Sequence, residues 1–274
     1  MPGERIRVEL LRAEPAAAYR STFAPWAPEP HSGAALPWGW EGLYFPFDAA
    51  FADLRPDGSP GAGDVVPEVE LPRRMYAGED TTFHRPLHYD DLVEQHTALG
   101  RVAQKQGRAG PMVFADVERR YLADGAPAVT STWHDVFLPA ADPSNPPREP
   151  ARLERSEWSW STELVLESRQ LFRYSALTFN THRVHYDRDW ARDAEGLPDL
   201  LVHGPLMRLL LLDFAIRSAG CQEVREFSLR SLAPTFVDTP VTLVGGHTDD
   251  GADVYAVDDA DQILAHGSVG WAAG

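Results

Sequence analysis

A chain of 274 residues, 43% of them hydrophobic, is long enough for two domains and too apolar to be disordered. Its net charge of −16, from 41 acidic and 25 basic residues, excludes the basic footprint of a nucleic-acid-binding surface. One cysteine, Cys221, excludes an internal disulfide and a cysteine metal cage, and the lone lysine, Lys105, leaves no G-x-x-x-x-G-K-[ST] phosphate loop and little room for Schiff-base chemistry.

In chain order, the start "MPGERIRVELLR" has no apolar signal core, and no window of eighteen apolar residues follows. A soluble cytoplasmic protein is expected, with neither membrane nor nucleic acid as partner. "LPWGWEGLYFPFDAAFADL" (36–54) reads as a poor helix broken by Pro46. "GPMVFADVERRY" (110–121) and "PAVTSTWHDVFL" (127–138) alternate as half-buried antiparallel strands do. A proline-rich run, 138–154, suits a linker, and "LFRYSALTF" (171–179) reads as a strand. "GPLMRLLLLDFAIRSAG" (204–220) is apolar on nearly all sides and predicts a buried helix, with Pro205 in its first turn and Gly220 at its C-terminal end. Strands follow at "ADVYAVDD" (252–259) and "QILAHGSVGWA" (262–272).

The two sides of the linker look alike. Pro86 and Pro234, Asp90 and Asp238, and Val93 and Val241 share a 148-residue offset, each set within strand, proline, turn, strand. A strand, a buried helix and a curved antiparallel sheet, twice over, predict an α+β double hot-dog fold. The expected division is a half at 1–140, a linker at 141–153 and a second half at 154–274.

"LTFNTHRVHYDRDWA" (177–191) packs Asn180, His182, His185 and Asp187 into eight positions. Three readings compete: a polar loop, a metal site, or acid–base chemistry. His185-Tyr-Asp187 with a distal His247 has the form of an iron(II) facial triad. No basic residue follows Arg230, though, to hold a cosubstrate carboxylate. His182, His185 and His203 resemble a zinc set without an acidic partner at matching spacing. A loop alone does not account for the second polar stop, "LLVHGPLM" (200–207), at the start of the buried helix. The acid–base reading uses both stretches. Gly204 N–H at the helix N-terminus stabilises a developing enolate, His185 moves a proton, and Asn180 orients water.

"FRYSALTFNTHRVHYDRDWA" followed by "LPDLLVHGP" resembles the active-site region of the MaoC-like dehydratases, or type 2 enoyl-thioester hydratases. It is most similar to the branch holding mesaconyl-C4-CoA hydratase and the mitochondrial type 2 hydroxyacyl-thioester dehydratases. "LPRRMYAGEDTTFHRPLHYDDLVEQ" and "GRAGPMVF" extend the resemblance over most of 36–272. The wider family carries D-x-N-P-x-H-x-D. His185 falls on its histidine, Asn180 on its first aspartate and Asp187 on its last, where capping a short helix suits Asp187 better than chemistry. The resemblance implies hydration of an enoyl thioester or its reverse, with coenzyme A as part of the substrate and no other cofactor or metal. It implies a first half without catalysis that shapes the acyl pocket, a homodimer or higher homo-oligomer, and a mesaconyl-type dicarboxylic acyl group among the candidates. Its candidate substrate contacts are His182 and His203, then Arg73, Arg74 and Arg208 for phosphates, and Trp38, Trp40 and Tyr44 for an acyl tunnel. A non-catalytic thioester-binding relative is the alternative.

Overall fold

The computed structural model describes residues 3–61, 65–66, 68–108, 110–142 and 149–272. Strand β1 (Arg5–Leu10) and helix α1 (Ala13–Phe23) lead, through a long connection, to β2 (Arg73–Phe83), β3 (Leu92–Gly107), β4 (Gly110–Ala123) and β5 (Ala126–Leu138). The plan then recurs. After β6 (Trp160–Val165) come α2 (Ser168–Thr178), α3 (Arg188–Asp193) and α4 (Gly204–Ser218). Strands β7 (Val224–Ser231), β8 (Pro240–His247), β9 (Gly251–Val257) and β10 (Ile263–Trp271) complete it.

Among the described residues ten strands form one antiparallel sheet, in the order β1-β3-β4-β5-β2-β7-β10-β9-β8-β6. The order mirrors itself about the β2–β7 seam, where Gly78 pairs with Arg230 and Thr82 with Glu226. The repeated aspartates explain part of this likeness. Asp90 and Asp238 both take left-handed backbone, φ 73° and 59°, a conformation Asp tolerates better than most residues. Their N–H groups bond alike, Asp90 to Leu11 O and Asp238 to Leu166 O, just beyond β1 and β6. Val93 and Val241 then enter the core. This is the double hot-dog fold that the order of elements predicts. Part of the expected linker, 143–148, lies outside the described residues.

Helix α4 is the hub. Leu206, Leu211, Leu212 and Ala215 are fully buried, and the helix packs against β2, β7, β8, β9 and β10. Pro205 stands in its first turn and Gly220, at φ 82°, just past its end. Two expectations fail. The run 171–179 belongs to helix α2. Its buried positions, Leu171, Tyr174, Ser175 and Thr178, recur every three or four residues, and Glu167 and Gln170 close a capping box at its start. The stretch 36–54 holds only short 3-10 turns, Trp40–Tyr44 and Phe51–Asp53. Gly39 at φ 87° and Pro46 break any longer helix there. Among the described residues the first half therefore has no counterpart of α4 under β3, β4 and β5.

Candidate active site

The missing helix leaves a cavity of about 490 Å³. Its sheet wall carries the inward side chains Gln95, Thr97, Val117, Arg119, Tyr121 and Trp133. Its opposite wall comes from the second half: Tyr174, Thr178 and Asn180 at the end of α2, and Pro205, Arg208 and Leu209 on α4. The cavity thus meets both polar stretches singled out in the sequence.

Asn180 follows the left-handed C-cap Phe179, so the chain turns sharply out of α2. Its Oδ1 accepts the His182 N–H at 3.0 Å, which leaves the amide nitrogen for the cavity. Thr181 and Arg183 are tied to the first half. Thr181 Oγ1 donates to Gly58 O at 2.7 Å, and Arg183 N–H to Asp57 O at 2.8 Å. Gly58, at φ 81°, lies so close to the Thr181 carbonyl that a Cβ could not be accommodated.

Three imidazoles form a column behind this turn. His185 stacks on His203 with centroids 3.6 Å apart and planes 20° from parallel, and His182 meets His185 edge-on at 5.4 Å. His185 Nδ1 bonds Leu201 O at 2.7 Å. A carbonyl only accepts, so the proton sits on Nδ1 and Nε2 is an unprotonated base. Among the described residues no protein group caps Nε2. Burial holds all three rings neutral. His185 is lowered to about 3, further depressed by His182 beside it, and His182 to about 4, with Asp57 opposing and Arg74 and Arg55 assisting. His203 is pushed well below its ordinary value. An exposed histidine titrates near neutral pH; the burial of His185, at 6% exposure, overrides that.

Gly204 begins α4, and among the described residues its N–H meets no acceptor. The glycine does not leave open space. A Cβ there would fall inside the Tyr76 ring, so Tyr76 is what requires a glycine. Asp187 caps α3 by accepting the Trp190 N–H at 3.0 Å and pairs with Arg183 at 2.7 Å. His247 meets Trp160 edge-on at 4.7 Å instead of joining His185 and Asp187. Among the described residues no group of three or more His, Cys, Asp or Glu is placed to hold a metal; the iron-type set is not assembled.

A model of the hydroxyacyl-thioester dehydratase type 2 family matches residues 39–237, which takes in the first-half loop, the cavity, the imidazole column and α4. The chain belongs to that family. It is 34% identical to mesaconyl-C(4)-CoA hydratase of Chloroflexus aurantiacus over 92% of this chain and 89% of that one. Two solved structures share the fold. A MaoC-like dehydratase of Phytophthora capsici matches with TM-score 0.71 and 13% identity, over 100% of this chain and 97% of the other. A Mycobacterium tuberculosis protein described as a double hotdog matches with TM-score 0.61 and 15% identity, over 98% and 96%. Membership makes the chain a hydratase or dehydratase, a carbon–oxygen lyase.

Set against this type 2 dehydratase fold, the weaker site assignments sort themselves. His203 is fully buried with Nε2 on Ser175 Oγ at 2.8 Å, and its ring stacks on that of His185. His182 Nε2 faces Asp57 at 4.0 Å. Arg73 pairs with Glu195 at 2.7 Å and Arg74 with Asp135 at 2.6 Å. Arg208 is buried against Glu79 at 3.3 Å and Glu41 at 3.9 Å, so its charge is already matched by two carboxylates. Trp38 packs on Phe83, Trp40 donates to Asp213 at 3.2 Å, and Tyr44 donates to Arg12 O at 2.8 Å. None of these three aromatics lines the cavity; Phe45, Phe47, Tyr121 and Trp133 do. Sequence reasoning also missed Tyr76, Asp57 and Ser175, whose roles depend on neighbours far away in the chain. Arg119 left a legible signal. It occupies the inward position between Val117 and Tyr121 in an otherwise apolar alternation.

Proposed function

We propose that the chain interconverts enoyl and 3-hydroxyacyl thioesters of coenzyme A, with His185 as the one titratable catalyst. The observation that carries the reading is that one cavity is bounded by both Asn180 and the first turn of α4. The thioester carbonyl is placed at the Gly204 N–H, where the helix dipole and an unused donor favour an enolate. The acyl chain extends into the first-half cavity. Water sits between the Asn180 amide and His185 Nε2. As its oxygen bonds Cβ, Nε2 takes a proton, and electrons move onto the carbonyl oxygen. The enolate then collapses, and the imidazolium returns the proton to Cα. The family's first aspartate is Asn180 here, so this scheme uses one base.

His185 does not itself line the cavity. The scheme therefore needs the substrate to reach Nε2 past Asn180. A panel of enoyl-CoA esters, followed by loss of absorbance of the conjugated thioester, tests the reading, with exhaustive chelation as a second arm. Turnover that survives chelation and vanishes in His185→Ala supports it. Tight thioester binding without turnover would instead identify a non-catalytic relative, and activity restored only by iron or zinc would overturn the scheme.

A further inference from the structure

Five arginines line the cavity, and four are occupied. Arg5 and Arg7 both pair with Asp48. Arg74 pairs with Asp135, and Arg208 lies between Glu41 and Glu79. The fifth, Arg119, has neither a carboxylate partner nor a protein hydrogen bond among the described residues. Its guanidinium instead lies over the Trp133 ring, 4.5 Å from the centroid. That ring is held on two sides. Trp133 Nε1 donates to Asp135 Oδ1 at 2.8 Å, and Tyr76 meets it edge-on at 4.5 Å. Arg119 therefore rests on a fixed platform, which lowers the cost of ordering it around a ligand.

The neighbouring strands extend the pattern. Thr97 on β3 is registered with Arg119, and Arg119 with Ser131 on β5. All three alternate onto the cavity side of the sheet. Ser131 is 6% exposed and its hydroxyl has no partner. The row is thus rich in donors and holds no anion, in a half-buried setting where an unpaired cation is costly. A carboxylate fits the fork of a guanidinium better than any uncharged group does. Thr97 and Arg119 face Asn180 and α4 across the same cavity, where the far end of a short acyl chain would arrive, and Ser131 lies buried beside Arg119.

We infer that Arg119 receives a carboxylate at the distal end of the acyl group. Among the acyl groups that the family resemblance leaves open, that contact selects the monothioester of an unsaturated or hydroxylated dicarboxylic acid. This rests on the hydratase reading above. The test compares two CoA thioesters of equal chain length, the butenedioic monothioester and the but-2-enoic thioester, which has a methyl group in place of the carboxylate. The wild type is expected to favour the carboxylated substrate in kcat/KM by about 10- to 100-fold, the range of a hydrogen-bonded charge. Arg119→Met should erase that preference, and Arg119→Lys should keep part of it. Binding of the saturated pair, succinic monothioester against butyryl-CoA, reads the same contact without turnover. It separates failure of Arg119 from failure of the hydration chemistry. A wild type that prefers or binds the uncharged member equally well overturns the inference, as does an Arg119→Met protein that loses both substrates in equal measure.

Discussion

At the scale of residues the proposed reaction depends on how His185 is kept. Its Nδ1 proton is committed to Leu201 O, and its burial holds the ring at about 3, so Nε2 stays a free base across the working range. The active form is the neutral one, and a lowered pKa extends it to acid. Wild-type kcat/KM should therefore be flat from about pH 8 to about pH 5 and fall only towards the His185 value of about 3. A limb near the ordinary histidine value would show that burial does not persist in the working enzyme. His185→Ala should lose at least about 100-fold in kcat, the usual worth of a positioned acid–base group, and His182→Ala much less. Asn180→Asp keeps the acceptor for the His182 N–H and adds a carboxylate beside two imidazoles. It should move the acid limb upward, whereas a profile identical to wild type would mean that Asn180 lies too far from His185 to matter. Asn180, His185 and Gly204 stood out as candidates in the sequence because their spacing is local. Leu201, Ser175 and Asp57 were not, because only folding makes them neighbours of the imidazoles.

Among the elements, α4 does two jobs, filling the second half and presenting its first turn to the cavity. Its start is set by contact with β2, since Tyr76 occupies the space beside Gly204. Gly204→Ala should force the Tyr76 ring aside, destabilise by about 1–3 kcal/mol as overpacking does, and reduce turnover by shifting the helix start. Tyr76→Leu should recover part of that loss. The double-mutant cycle read by urea denaturation should be non-additive; additive losses would show that Tyr76 is not what confines Gly204. The apolar run of α4 announced its burial in advance. Helix α2 was misread because its short amphipathic pattern, bounded by Phe179, also fits a strand; the capping box of Glu167 and Gln170 was the local cue that distinguishes them.

Taken as a whole, the molecule stakes stability on three buried neutral histidines. His182 and His185 titrate near 4 and 3 when folded, against 6.5 ordinarily, and His203 is lowered too. The unfolded chain binds protons that the folded chain refuses. Their contribution is fully present above about pH 6.5 and is lost as pH falls through the folded values. Each histidine adds up to about 1.4 kcal/mol per pH unit within its window. The unfolding free energy should drop steeply between about pH 6 and pH 4, and His203→Gln should flatten that slope. Equal slopes in the two proteins would place the acid sensitivity elsewhere. In the proposed reaction the same three rings link catalysis to acid stability: the burial that keeps Nε2 unprotonated is what acid attacks.

The sequence by itself determined the repeat, the later strands of each copy, the buried helix and the motif around His185. Each is written in periodicity, in aspartates suited to left-handed turns, or in residues a few positions apart. Tertiary structure alone decided the rest. It replaced the first-half helix with a cavity, spent Arg73, Arg74 and Arg208 on carboxylates brought from elsewhere in the chain, and left Arg119 without one. The physical reason is that a charge acquires its role from the partners folding brings within about 4 Å. No spacing along the chain reports which arginine will find a carboxylate and which will face an open pocket.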